Sequence, residues 1–395
     1  MMRHFFETHS ESEAESSAEY RAVLHNINWK RLLARTTPLA ITATSTVLFL
    51  SACGGGSADP TASTAQNAAA VSSAGTSDTV STPDASSAIY SAAIAAAQKS
   101  AATDPLCAVS KLGDFYWEIG NSISAKPIAS GSLGTGSVVA SSYFNIASAS
   151  KWIFGAYVVE KKGIESVRNT VSLSDGLRFL SGYTGLNDTA CAGTGSVNAC
   201  FIAGMNGNTS QPDPTTVGKF DYDGGHDQKL AAIDLGLGNF TAAQLTAEYQ
   251  NTPGLSKGFN MAPLDPLMAG GMMGTATDYA LFLRKMMNQQ LVIGSHLGEN
   301  AVCTLPGNCP GKVAYSPIVA LQEPWTYSYN HWVESQYGNG SIDAYSSPGK
   351  WGFYPWISSD KKYYGIVSRH DTNPTAYAVS VLCGRQIRKA FLGAL

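Results

Sequence analysis

Phe144-Asn145-Ile146-Ala147-Ser148-Ala149-Ser150-Lys151-Trp152 is the stretch on which the reading of this chain turns. A serine precedes a lysine by three positions, at the head of a run in which Trp152, Ile153, Ala156, Tyr157 and Val159 recur at helical spacing as far as Lys162. Residues i and i+3 of a helix share a face one turn apart. A helix beginning near Ser148 therefore sets the Lys151 amine beside the Ser148 hydroxyl. A serine hydroxyl is a weak nucleophile that needs such a base. Burial disfavours the charged form of a lysine, which lets it serve as one. Free N–H groups in the first helical turn stand close to any developing oxyanion. The pattern predicts acyl transfer at Ser148.

Spacing alone does not select Ser148. Ser347 to Lys350, Ser358 to Lys361 and Ser359 to Lys362 match it too. The last two fall in a polar turn between apolar runs, and Ser347 precedes a Pro-Gly turn. Only Ser148 stands between a strand-like run and an apolar helix. Gly254-Leu255-Ser256-Lys257-Gly258 fits another hydrolase pattern, Gly-x-Ser-x-Gly. That pattern needs a buried strand before it and a helix directly after it. Here Phe240 to Tyr249 reads as helix and Phe259 to Pro266 as a Pro-bearing loop, so Ser256 is set aside.

Outward from this helix, Ala88 to Ala101 reads as an Ala-rich helix and the Gly-bounded Gly113 to Gly120 as a strand. Ser122 to Ser142 suggests further strands and turns. Residues 165–330 mix short helical patterns with Gly- and Pro-bearing loops. Thr275 to Asn288 is an amphipathic helix. Trp351 to Ser358 and Lys362 to Ser368 read as antiparallel strands joined at Ser359-Asp360-Lys361, and Thr375 to Leu392 as a last helix. The order predicts an α+β fold: an antiparallel sheet flanked by helices, built from N- and C-terminal segments, with a mostly helical inserted subdomain.

The first residues read as processing signals. Lys30, Arg31 and Arg35 precede an apolar run from Pro38 to Leu50, which ends in Leu50-Ser51-Ala52-Cys53. A positive region, a short apolar region and small residues make a secretory signal, and the run is short for a membrane span. Residues 54–88 are rich in Ala, Ser, Thr and Gly and cannot bury enough surface to fold. The expected organisation is a lipoprotein signal peptide over residues 1–53, a tether over 54–88 and a hydrolase domain over 89–395. Of the 7 cysteines, Cys53 leaves six. An even count in an oxidising compartment implies disulfides, and six cysteines allow 15 pairings. Cys191 with Cys200 and Cys303 with Cys309 bracket short loops, which leaves Cys107 with Cys383. No Cys-x-x-Cys occurs, so no metal is expected. Only 14% of the 395 residues are charged and the net charge is -3, so nucleic acid is not an expected partner.

The sequence resembles the serine β-lactamase-like hydrolases, on the side of the class C β-lactamases, DD-peptidases and family VIII esterases. The resemblance runs from about Ala88 to the C-terminus. It rests on the Ser148 segment, then Leu177-Arg178-Phe179-Leu180-Ser181-Gly182-Tyr183, then Ala269-Gly270-Gly271-Met272 with Thr275-Ala276-Thr277-Asp278. The Leu-Ser-Ala-Cys ending resembles a bacterial lipobox, which implies lipidation of Cys53 and an outer-membrane lipoprotein facing the periplasm or the surface. The family's Tyr-x-Asn element is best matched at Phe220-Asp221-Tyr222-Asp223-Gly224-Gly225-His226, which makes Tyr222 the phenol sharing the base role with Lys151. Gly224 stands where Asn is usual. Tyr249-Gln250-Asn251 is the literal competitor. The family's Lys-Thr-Gly or His-x-Gly element corresponds to Ser347-Pro348-Gly349, with no cation at its first position. The resemblance implies that the amides of Ser148 and Lys350 hold the oxyanion and that Ser347, Gly349 and Trp351 contact substrate; His226 is read either as a local partner of the site or as a structural histidine. No cofactor is implied. The two departures favour a small ester or amide over a β-lactam, acted on by a monomer. A β-lactamase or DD-peptidase, and a non-catalytic lipoprotein of the same fold, are the alternatives.

Overall fold

The computed structural model describes residues 85–252, 255–335 and 340–395. The expected signal peptide, Cys53 and nearly all of the tether lie outside the described residues. Helix α1 (Ala85–Thr103) and the short α2 (Val109–Leu112) lead into strands β1 (Phe115–Asn121) and β2 (Ala129–Leu133). Next come β3 (Phe144–Asn145), a 3-10 turn (Ala147–Ala149) and α3 (Ser150–Lys162), then α4 (Ile164–Asn169), α5 (Val171–Leu177) and α6 (Val197–Gly204). Strand β4 (Phe220–Asp221) precedes α7 (Gly225–Lys229) and α8 (Ala242–Asn251); β5 (Asn260–Met261) and β6 (Met272–Gly274) precede α9 (Ala276–Met287). The chain ends with β7 (Val302–Cys303), β8 (Val313–Tyr315), β9 (Thr326–Ser328), β10 (His331–Ser335), β11 (Ile342–Ser346), β12 (Tyr354–Ser358), β13 (Tyr363–Ser368) and α10 (Ala376–Leu392).

The main sheet has the order β2-β1-β13-β12-β11-β10-β9-β7, and every neighbouring pair is antiparallel. The N-terminal β1 pairs with the C-terminal β13, from Tyr116 opposite Ser368 to Asn121 opposite Tyr363. The expected fold is therefore present: a sheet closed by the two ends of the domain, interrupted between β2 and β7 by a mostly helical insertion. Alternate strand residues face opposite sides. Phe115, Trp117, Ile119, Trp356 and Val367 pack with α1 and α10, whereas Tyr116, Ile357, Tyr364 and Ile366 pack with α3 and α9. Both faces are covered, so the aromatic strands read as nearly continuous apolar runs.

The local stops match their residues. Thr275 caps α9 by accepting from the Asp278 amide while Asp278 accepts from Thr275, a reciprocal cap. In the β12–β13 turn, Ser358 donates to Asp360 and Lys361 takes a positive φ of 58°. Two boundaries differ from the reading of the sequence. Trp351 to Phe353 form a turn, because Gly352 has φ 98° and its amide returns to the Gly349 carbonyl. Strands β9, β10 and β11 were not legible as strands, the last two for reasons taken up below. Three disulfides join Cys107 to Cys383, Cys191 to Cys200 and Cys303 to Cys309.

Candidate active site

The nucleophile segment is held by its backbone before any chemistry is considered. The Ile146 amide donates to the Met272 carbonyl on β6, and the Met272 amide donates back to the Ser150 hydroxyl. The Tyr279 hydroxyl on α9 donates to the Ala149 carbonyl. Ala147 has φ 47°, a left-handed conformation that strains a non-glycine residue. Its amide donates to the Asn145 side chain at 2.7 Å. This bend turns the chain so that Ser148 is half-exposed while Ile146, Ala147, Ala149 and Ser150 are buried.

Lys151 is 5% exposed, and its Nζ lies 3.0 Å from Ser148 Oγ. The same nitrogen donates to the Ala269 carbonyl at 2.7 Å. The amine is thus fixed between a carbonyl and the serine. Tyr222 comes from the other side: its ring centre is 4.9 Å from Lys151 Nζ. The ring stacks on Trp332 at 5.2 Å and tilts against Phe179 at 5.5 Å. Ser148, Lys151 and Tyr222, named from the sequence, therefore meet in one place. Tyr249 does not join them. It is buried, packs edge-on against Tyr157 at 5.0 Å, and burial pushes its phenol well above the usual range. Ser256 is also buried, follows the helix α8, and accepts from the Gly258 amide.

The structure places three of the expected substrate contacts within the protein's own packing. His226 is fully buried, with Nδ1 2.7 Å from the Ser181 hydroxyl and Nε2 3.0 Å from the Asp221 carbonyl. It stacks on Phe179 at 4.9 Å, and burial holds its pKa down at about 3, assisted by the charge of Lys151. Both ring nitrogens are engaged within the chain, so it meets no substrate. Gly349 is needed for the protein's own packing: a Cβ there would lie 2.1 Å from the Ile146 carbonyl oxygen. Ser347 is buried and donates to the Ser148 carbonyl at 3.0 Å, tying the end of β11 to the nucleophile's backbone. Trp351 and Lys350 stay at the rim. Lys350 is exposed with Nζ 4.9 Å from the Trp351 ring centre, and Trp351 stands 5.7 Å from His370.

Gly224 has a physical reason. A Cβ at this position would meet Leu186 Cδ2 at 3.0 Å and the Ala269 Cβ at 3.1 Å, so an Asn side chain there requires repacking. Three features escaped the reading of the sequence. The Ala269 carbonyl acts through its backbone, which residue type does not report. The strain at Ala147 carries no residue signature. Asp227 and Asn330, both fully buried behind Lys151, look in sequence like solvated polar residues.

No protein-family model matches the sequence, and no curated protein matches it. Solved structures do. A crystal structure of a candidate β-lactamase from Bacteroides dorei aligns with a TM-score of 0.51 at 20% identity, over 71% of this chain and 94% of that one. The hydrolase EstCE1, described as having promiscuous acyltransferase activity, aligns with a TM-score of 0.53 at 11% identity, over 76% and 99%. The fold is that of the serine β-lactamases. Within this fold, the 3-10 turn that carries Ser148 lies beside the end of β11, where Ser347 donates to the Ser148 carbonyl.

Proposed function

We propose that this chain is a serine hydrolase that forms an acyl-enzyme on Ser148 and acts on a carboxylic ester or amide of small to medium size. The observation that carries the reading is the buried Lys151 amine 3.0 Å from a half-exposed serine hydroxyl. When the lysine is neutral, one N–H points to the Ala269 carbonyl and its lone pair accepts the Ser148 proton as Oγ attacks the carbonyl carbon. Charge develops on the carbonyl oxygen, and the amides of Ser148 and Lys350 stabilise it. The Ser148 amide suits this task because the first turn of a helix has N–H groups with no carbonyl one turn earlier. Tyr222 relays the proton from Lys151 to the leaving group. The cycle repeats with water to release the acid.

Gly224 and Ser347 favour ester or amide over β-lactam. Neither supplies the Asn amide or the cation that would meet a substrate carboxylate. The test is labelling by a fluorophosphonate and turnover of nitrophenyl esters by the chain with and without Ser148→Ala. Removal of the nucleophile is expected to abolish labelling and to lower turnover by on the order of 10³-fold or more. Equal turnover by the two proteins would sink the assignment. Covalent labelling by a fluorescent penicillin, expected to be absent, would move the reading to a β-lactamase or penicillin-binding peptidase.

A further inference from the structure

Asp227 lies on α7, which begins three residues after Tyr222, and has no exposed surface. Opposite it is Asn330, also fully buried, in the turn between β9 and β10 with φ 58°. The Asn330 amide donates from Nδ2 to Asp227 Oδ1 at 2.8 Å. The remaining two polar atoms of the pair, Asp227 Oδ2 and Asn330 Oδ1, are both buried and have no hydrogen-bond partner. Both are acceptors if the acid is ionised, and leaving them unpaired in a dry site is costly. One proton on Oδ2 removes both defects, because it donates to Asn330 Oδ1 and closes a cyclic acid–amide pair.

The surroundings agree with that proton. Burial is the largest influence and pushes Asp227 up to about 7; Asp223 adds to the rise, and only Lys151 on α3 and the Asn330 hydrogen bond oppose it. Tyr249 on α8 and Tyr327 on β9 also face the group, and His226 precedes it, all of them neutral. The pair reaches the nucleophile helix as well. Gly155 of α3 sits so close to the turn that a Cβ would lie 2.7 Å from Asn330 Cβ and 2.9 Å from the Tyr329 carbonyl oxygen.

We propose that Asp227 is a neutral carboxylic acid locked face to face with the Asn330 amide, and that this pair positions α3 and its Lys151 without presenting an anion to the lysine. An ionised Asp227 would favour the ammonium form of Lys151, which cannot take the serine proton. The positioning half of the proposal rests on the acyl-enzyme reading above; the protonation half does not. Asp227 touches no reacting atom and is a positioning residue.

The experiment is an infrared difference spectrum of the full chain, parent minus Asp227→Asn, in mildly acidic buffer. The expected result is a carbonyl stretch of a protonated acid that shifts in D2O. Glu118 and Asp223, two further acids pushed upward by burial, are common to both proteins and cancel. Asn at 227 closes the same ring with Asn330, so this conservative variant keeps most of the ester turnover and the same acidic limb of the pH–rate profile. Asp227→Leu, which keeps the branched outline but has no polar atom, leaves the Asn330 amide unpaired and is expected to lower kcat by on the order of 10²-fold. The proposal is overturned if the acid band is missing. It is also overturned if Asp227→Asn moves the acidic limb by about one pH unit or more, as loss of a counter-anion would. Full turnover by Asp227→Leu would overturn the positioning role. Ser148→Ala leaves the band in place, so failure of the hydrolase reading and failure of this one are separable.

Discussion

Two consecutive residues on α7, His226 and Asp227, make opposite contributions to the pH dependence of stability. An unfolded histidine takes up its proton near 6.5, whereas buried His226 does so only at about 3 and buried His331 at about 4. Between about pH 4 and 6.5 the unfolded chain therefore binds two protons that the folded chain does not. Asp227 works the other way. Over the same window the folded chain holds its proton, up to about 7, while an unfolded aspartate has released its own above about 3.9. For these three groups the unfolded chain binds one proton more, so stability rises with pH and is lost on acidification, by about 1.4 kcal/mol per pH unit. Asp227→Asn removes the opposing member. Its stability from chemical denaturation is expected to fall more steeply on acidification through this window, by about 1.4 kcal/mol more per pH unit. Coincident curves for the two proteins would mean that Asp227 titrates as an ordinary carboxyl. The same residues show what a sequence reveals at this scale. Ser148, Lys151 and Tyr222 were legible because their chemistry lies in residue type and order. His226 was open to a site role or a structural one, and its burial fits the structural one, whereas nothing in residue type marked Asp227 as buried. Burial is a property of partners far along the chain, Asn330 among them.

Helices α3, α9 and α10 were legible because each keeps one face apolar over three or more turns. The hairpin of β12 and β13 was legible from its aromatic runs and its Ser359-Asp360-Lys361 turn. Strands β10 and β11 were hidden by charge. Glu334 on β10 is fully buried and Asp343 is the second residue of β11, and both are matched by Arg388 on α10, whose Nη2 lies 2.8 Å from Glu334 Oε2. Glu334 also accepts from the Tyr354 hydroxyl at 2.7 Å. Charges that are paired only in the folded chain look like exposed ones in sequence. Close contact between elements was equally invisible, and it reverses an ordinary expectation for glycine. Gly155→Ala in a helix interior normally stabilises by about 1 kcal/mol. Here the added Cβ falls 2.9 Å from the Tyr329 carbonyl oxygen, a backbone atom that cannot swing aside. Overpacking costs about 1–3 kcal/mol, which offsets that gain and leaves a net loss of up to about 2 kcal/mol, with reduced ester turnover as the Asn330 turn is displaced. Gly349→Ala is expected to cost more, since its Cβ falls 2.1 Å from the Ile146 carbonyl oxygen, two residues from Ser148. Thermal denaturation of both variants checks the order, and a raised midpoint for Gly155→Ala would show that the contact between α3 and the turn is looser than this.

At the scale of the molecule, the sheet joins the two ends of the domain, and one disulfide repeats that closure covalently. Cys107 and Cys383 are separated by 276 residues, against 9 for Cys191 and Cys200 and 6 for Cys303 and Cys309. A cross-link stabilises chiefly by restricting the unfolded chain, more for a longer loop. The chain-entropy relation gives roughly 5–6 kcal/mol for the long bridge and roughly 2–3 kcal/mol for each short one. Cys107 and Cys383 are also buried, at 1% and 0% exposure, so replacing them by alanine removes packing as well. The β1–β13 ladder would then carry the closure alone. The double variant Cys107→Ala with Cys383→Ala is expected to lose several kcal/mol in chemical denaturation, clearly more than Cys303→Ala with Cys309→Ala. Protein made in a reducing compartment should share the deficit, since such bonds form and persist only where thiols are oxidised. Equal losses for the two double variants would mean that the unfolded chain already keeps its ends together, with β1 near β13 before the bridge forms. In that case the long disulfide would record the closure of the sheet instead of enforcing it.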